Sequence, residues 1–116
     1  MNKNNINNLI CSSDRNLKEN IKVVDNNKCI FAHNVDVKSF NFKDDANKNI
    51  MYGVIAQEVQ DSNLNELVYT KEDGHLAVDY TSLMILKIKY LEDLCALLNK
   101  KNMELENRIS ILENNK

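Results

Sequence analysis

Apolar positions recur along this chain with three different spacings, and each spacing predicts a different kind of element. Near the N-terminus Leu17, Ile21, Val23 and Val24 follow a short, mixed pattern, read as one helical turn and then an extended segment. Residues 27–33 carry Cys29, Ile30, Phe31 and Ala32 behind cap-prone residues, which predicts a short helix, with a strand left open by periodicity alone. Strict alternation follows. Val35, Val37, Ser39 and Asn41 interleave with Asp36, Lys38, Phe40 and Phe42, a period of two that predicts a strand with both phenylalanines on one side. After a polar loop over residues 44–49, residues 50–55 read as a strand turning at Gly53, and residues 56–61 as a short helix. Residues 67–70 and 75–79 flank Lys71-Glu72-Asp73-Gly74 and predict a β-hairpin.

From about Tyr80 no residue interrupts a helix, since the chain has no proline and its last glycine is Gly74. That helix has a heptad. Ile88, Cys95, Asn102 and Ile109 fall at a, and Met84, Leu91, Leu98, Leu105 and Leu112 at d, a seam that predicts a coiled coil. At g, Lys87, Lys101 and Arg108 would face Glu92, Glu106 and Glu113 at e of a neighbouring strand, which favours a parallel arrangement. Each such exposed pair is worth only about 0.2–1 kcal/mol, so the charges choose orientation and the leucines supply stability. Asn102 at a leans toward two strands, whereas Leu94 at g and Leu97 at c widen the apolar face and lean toward more. The alternative is one amphipathic helix packed on its own domain. It accounts for residues 83–98 but not for Leu105, Ile109 and Leu112, too far along a rod rising ~1.5 Å per residue. The fold class expected is α+β: a leader over residues 1–12, a globular part of short strands and helices over 13–80, and a helix over 81–116.

Composition narrows the function. With 116 residues, 43% of them hydrophobic, the chain is expected to hold one small domain with a modest core, and its size alone points to self-association. A net charge of −2 without a basic stripe points away from nucleic acid. The apolar run at residues 83–86 is far shorter than the ~20 residues of a membrane span, and the Asn-rich N-terminus has no apolar signal core. A cytosol-like compartment is expected. Cys11, Cys29 and Cys95 lack zinc-site spacing and read as reduced thiols, and neither a metal nor a cofactor is expected. A Cys11 nucleophile would need His33 or His75 as its base, and nothing local links them. His75, after Gly74, reads as a turn residue.

Ser13 and Lys18 stand at a fixed short separation within Ser13-Asp14-Arg15-Asn16-Leu17-Lys18-Glu19-Asn20-Ile21. A serine hydroxyl becomes a nucleophile when a base takes its proton, and a lysine amine is such a base only when neutral. Lysine in water titrates near 10.4, so working near pH 7 takes a depression of roughly three pH units, about 4 kcal/mol. Burial must supply most of it. Asp14 is expected to cap a short helix with Lys18 in its first turn, where the dipole also disfavours an ammonium. The competing reading makes Lys18 an exposed helix residue and Ser13 an N-cap.

This motif, with Val37-Lys38-Ser39-Phe40-Asn41-Phe42, Gly53-Val54-Ile55-Ala56-Gln57-Glu58-Val59, and Glu66-Leu67-Val68 leading to Asp73-Gly74-His75-Leu76-Ala77-Val78-Asp79-Tyr80, resembles the C-terminal intramolecular chaperone domain of phage endosialidase tailspikes, also found in the myelin regulatory factor family. The resemblance covers about residues 13–98. It implies a homotrimer, folding assistance to an upstream or in-trans client, and self-cleavage by a peptidase S74-type Ser-Lys dyad. Carried over by position, Ser13 is the nucleophile and Lys18 the base, and the scissile bond is Ser13-Asp14 or Ser12-Ser13, with the first preferred. The Gly53-to-Glu58 block receives no catalytic role. Two departures stand out: only twelve residues precede Ser13, so cleavage is expected to release a peptide, and the family's usual proline before the Phe-Asn strand is missing. The Asn- and Lys-rich, proline-free composition fits an AT-biased source, viral or microbial, hence a host cytoplasm or virion. A non-enzymatic oligomerisation module with a relic dyad is the rival function, and a fragment of a longer gene a third.

Overall fold

A computed structural model describes residues 10–115. A single 3-10 turn, Arg15–Leu17, precedes helix α1 (Asn26–His33), strands β1 (Lys38–Phe40) and β2 (Met51–Gly53), helix α2 (Ala56–Asp61), a second 3-10 turn (Asn65–Leu67), strands β3 (Val68–Thr70) and β4 (Leu76–Val78), and helix α3 (Tyr80–Asn114). The molecule is thus a small strand-and-helix part followed by one long helix, with extents of 71 × 43 × 27 Å. The leader expected over residues 1–12 lies outside the described residues as far as position 9, and Ile10, Cys11 and Ser12 are exposed.

Carboxylates start the two helices that matter most. Asp25 Oδ1 accepts from Asn27 N at 2.9 Å to begin α1. Asp79 begins α3, its Oδ1 accepting from Ser82 N at 3.0 Å and its Oδ2 from Ser82 Oγ at 2.7 Å. Those bonds, the backbone one first, hold the Asp79 carboxyl below the ordinary carboxylate range.

Two antiparallel pairs make the β structure. β1 pairs with β2 in the register Lys38↔Gly53, Ser39↔Tyr52, Phe40↔Met51, and β3 with β4 as Val68↔Val78, Tyr69↔Ala77, Thr70↔Leu76. The second is the expected hairpin, with Gly74 at φ +89°, a conformation glycine adopts without strain. The strand read over 35–42 is shorter than its alternation. Val35 N–H is taken by Ala32 O at 3.2 Å, finishing the turn at the end of α1, and the Val35 side chain is buried in the core. The turn at Asn65–Leu67 was not legible as an element, yet it seats Leu64 and Leu67 against Val54, Val59 and Leu83.

Leu83 anchors α3 in this core, and Leu86, Lys87, Tyr90 and Leu94 continue the half-buried face. Tyr90 stacks on His33 with ring centroids 4.0 Å apart, and Lys87 Nζ donates to Val35 O at 2.6 Å. Burial pushes the Lys87 ammonium below the ordinary lysine value, against the opposing pull of Asp36. Leu94 and Leu97 flank a groove with Ile30 and Tyr90, and the Lys87 ammonium is engaged by a carbonyl of its own domain. The helix does pack on its own domain, but through a face different from the a/d seam. Every described residue from Cys95 onward is exposed.

Candidate active site

Asp14 Oδ1 accepts from Asn16 N at 2.9 Å and Asp14 O from Leu17 N at 3.0 Å, closing the 3-10 turn directly after Ser13. Lys18 ends that turn in extended conformation, its N–H bonded to Arg15 O at 3.1 Å. The turn sends the lysine side chain back along the chain, and Lys18 Nζ donates to Ser13 Oγ at 2.8 Å. The two residues singled out by their spacing therefore meet. Both are exposed.

The expected help from a helix dipole is not met. Lys18 caps the C-terminal end of a three-residue turn rather than entering the first turn of a helix, and a C-terminal end favours a cation. Burial is then the remaining route to a neutral amine, and one chain does not provide it. All of residues 10–25 are exposed, Ile10, Leu17, Ile21 and Val23 among them at 65–86% of their full area.

The proposed seam is equally open. Ile88, Leu91, Leu98, Leu105, Ile109 and Leu112 are each at least half exposed, and Cys95 and Asn102 lie exposed between them. These residues share one face of α3, offset from the face formed by Leu83, Lys87, Tyr90 and Leu94, so the helix carries one apolar face packed on its own domain and a second that is exposed.

The histidines have structural roles. His33 stacks on Tyr90, and His75 Nδ1 lies 3.4 Å from Asp73 Oδ2 in the β3–β4 turn. The Gly53-to-Glu58 block is also accounted for: a Cβ on Gly53 would run into the Tyr80 hydroxyl and Phe40, and Glu58 lies 3.5 Å from Lys38. Sequence reading missed Tyr80 as a latch on this block; a glycine closing a strand, with an aromatic opening the next long helix, was the only sign of it. Among the described residues no group of three or more His, Cys, Asp or Glu side chains could hold a metal, and no helix is long and apolar enough to cross a membrane.

No curated protein matches the chain. Residues 13–69 match the family model of peptidase S74, the chaperone of endosialidase. That span begins at the serine of the Ser13–Lys18 pair and runs through the β1–β2 pair and α2 to the start of the hairpin, and over it the chain is similar to the chaperone-of-endosialidase family.

Proposed function

We propose that this chain is a self-assembling intramolecular chaperone domain that cuts itself beside Ser13 once assembly has enclosed Lys18. The observation that carries the reading is the 2.8 Å approach of Lys18 Nζ to Ser13 Oγ at the first residue of the family match. The charged amine donates to the hydroxyl; the neutral amine, at the same separation, accepts the Oγ–H instead. Oligomerisation through the a/d face of α3 forms a parallel coiled coil, with a trimer implied by the family, and an upstream or in-trans segment is the client.

The chemistry needs these two side chains and water. Lys18 Nζ takes the Ser13 hydroxyl proton as Oγ bonds to a peptide carbonyl carbon, the C–N bond breaks, and the new amine takes the proton back from Lys18. Water then cleaves the ester, returning the Ser13 hydroxyl and leaving a carboxylate. Ring size selects the bond. Attack on the Ser12 carbonyl closes a five-membered ring, whereas attack on the carbonyl of Ser13 itself would close a strained four-membered one, so Ser12-Ser13 is favoured over the Ser13-Asp14 bond preferred from sequence.

Exposure of Lys18 in one chain fits an assembly-dependent switch, because a solvated amine stays protonated at neutral pH. Intact-mass spectrometry of the purified oligomer at neutral pH tests the reading. Fragments meeting at Ser12-Ser13 in wild type, absent in Ser13→Ala and Lys18→Ala, support it. An intact mass in a proven oligomer would leave an oligomerisation module with a relic dyad.

A further inference from the structure

We propose that Asp14 is the positioning residue of the dyad: its carboxylate caps the turn after Ser13 and thereby sets the return path that brings the Lys18 amine to the serine hydroxyl. This rests on the Ser-Lys reading above and names what holds that pair together. Ser13 and Lys18 are five residues apart, and an extended chain of that length spans up to about 17 Å, far beyond the reach of one lysine side chain. The 3-10 turn at Arg15–Leu17 is what shortens the path.

Nothing tertiary holds that turn among the described residues. It has no buried residue, and its bonds are the Asp14 carboxylate to Asn16 N at 2.9 Å, Leu17 N to Asp14 O at 3.0 Å and Lys18 N to Arg15 O at 3.1 Å. A single turn gains nothing from helical cooperativity, so its population depends on the cap. Asp14 Oδ1 acts by accepting one backbone N–H, not by its charge. A negative charge beside Lys18 would in fact favour the ammonium and oppose its work as a base.

Asparagine separates the two roles, since it keeps the capping oxygen and removes the charge. In the full chain at pH 5, where a lysine amine is protonated and cleavage is off, the nuclear Overhauser contact between the Lys18 ε-methylene and the Ser13 β-methylene reports the pairing directly. It is expected in wild type and Asp14→Asn and lost in Asp14→Ala. At neutral pH the cleavage rate follows the same order: Asp14→Asn close to wild type, Asp14→Ala about tenfold slower, the shift expected from losing one cap, with the oligomer mass unchanged in both. A contact that persists in Asp14→Ala, or an Asp14→Asn variant as impaired as Asp14→Ala, overturns the assignment. If the contacts follow the expected order but no variant, wild type included, cleaves, the hydrolytic reading fails and the positioning role stands.

Discussion

The Tyr80 hydroxyl bridges both backbone groups of Val54, accepting from its N–H at 3.1 Å and donating to its carbonyl at 3.3 Å, directly over Gly53. The first residue of α3 is thereby tied to the end of β2, across 26 positions of sequence. Gly53→Ala would drive a methyl group into that hydroxyl. The substitution is expected to lower stability by about 1–3 kcal/mol, the usual range for overpacking. Tyr80→Phe should cost about 1–2 kcal/mol by leaving the part-buried Val54 N–H without its partner. Because the two changes meet at one oxygen, Gly53→Ala should cost less in the Tyr80→Phe background, which a double-mutant cycle in urea reads directly. Strict additivity would show that the latch is not what Gly53 accommodates.

Asp79 ties the start of α3 to pH. Its carboxyl is held below the ordinary range by the Ser82 bonds, so the folded state binds its proton less readily than the unfolded chain. That contribution is fully present above the unfolded value near 3.9 and is lost as pH falls through the lower folded value. Asp79→Ala should cost roughly 1 kcal/mol at pH 7 and flatten the acid limb of stability between about pH 4 and lower values. Denaturant melts at pH 7 and pH 3 measure both effects. An equal loss at the two pH values would mean that the carboxylate is not the source.

How far the sequence carried this reading depended on whether a feature was periodic. The hairpin and the start of α3 were legible because Asp-Gly and the absence of proline each act locally. The Ser13–Lys18 contact was legible as spacing, while its geometry was not: a five-residue separation is compatible with a helix, and the capped 3-10 turn that forms instead depends on one side-chain oxygen. Residues 83–97 were ambiguous for a different reason. There the heptad and the domain-facing pattern overlap on one helix, and only contacts such as Lys87 to Val35 and Tyr90 to His33 assign each apolar position to its partner. Val35 shows the converse. Its alternating neighbours read as strand, but a helix-ending backbone bond claimed its N–H first.

Cys95 offers a direct measure of strand direction and register. It is an exposed free thiol at an a position, where side chains of parallel, in-register helices face each other across the axis, within the Cα separation of about 4.4–6.8 Å that a disulfide accepts. Cys29 is buried and shielded from oxidant. In a Cys11→Ser background, mild oxidation is expected to yield covalently linked chain pairs on a non-reducing gel, and Cys95→Ser to abolish them. Single chains from a proven oligomer would rule out a parallel, in-register seam.

On the proposed reading assembly and folding use different faces of α3, so they should be separable by mutation. Leu83 is 1% exposed in the core of its own domain, whereas Leu98 is 50% exposed on the a/d face. An aspartate at position 83 buries an unpaired charge, and Leu83→Asp is expected to unfold the globular part, at a cost of at least about 3 kcal/mol. Leu98→Asp puts charges together only where helices meet. It should yield a monomer that keeps the His33–Tyr90 stack, the β3–β4 hairpin and the Ser13–Lys18 contact, since none of these lies near residue 98 in the fold. Cleavage should then fall in that monomer to the level of Lys18→Ala, because the geometry of the pair survives while its amine stays in water. Light scattering after size exclusion gives the mass, near-ultraviolet circular dichroism the tertiary packing, and mass spectrometry the cut. A folded monomer that still cleaved at the wild-type rate would mean that Lys18 loses its proton without any neighbour, and assembly would have no part in the chemistry.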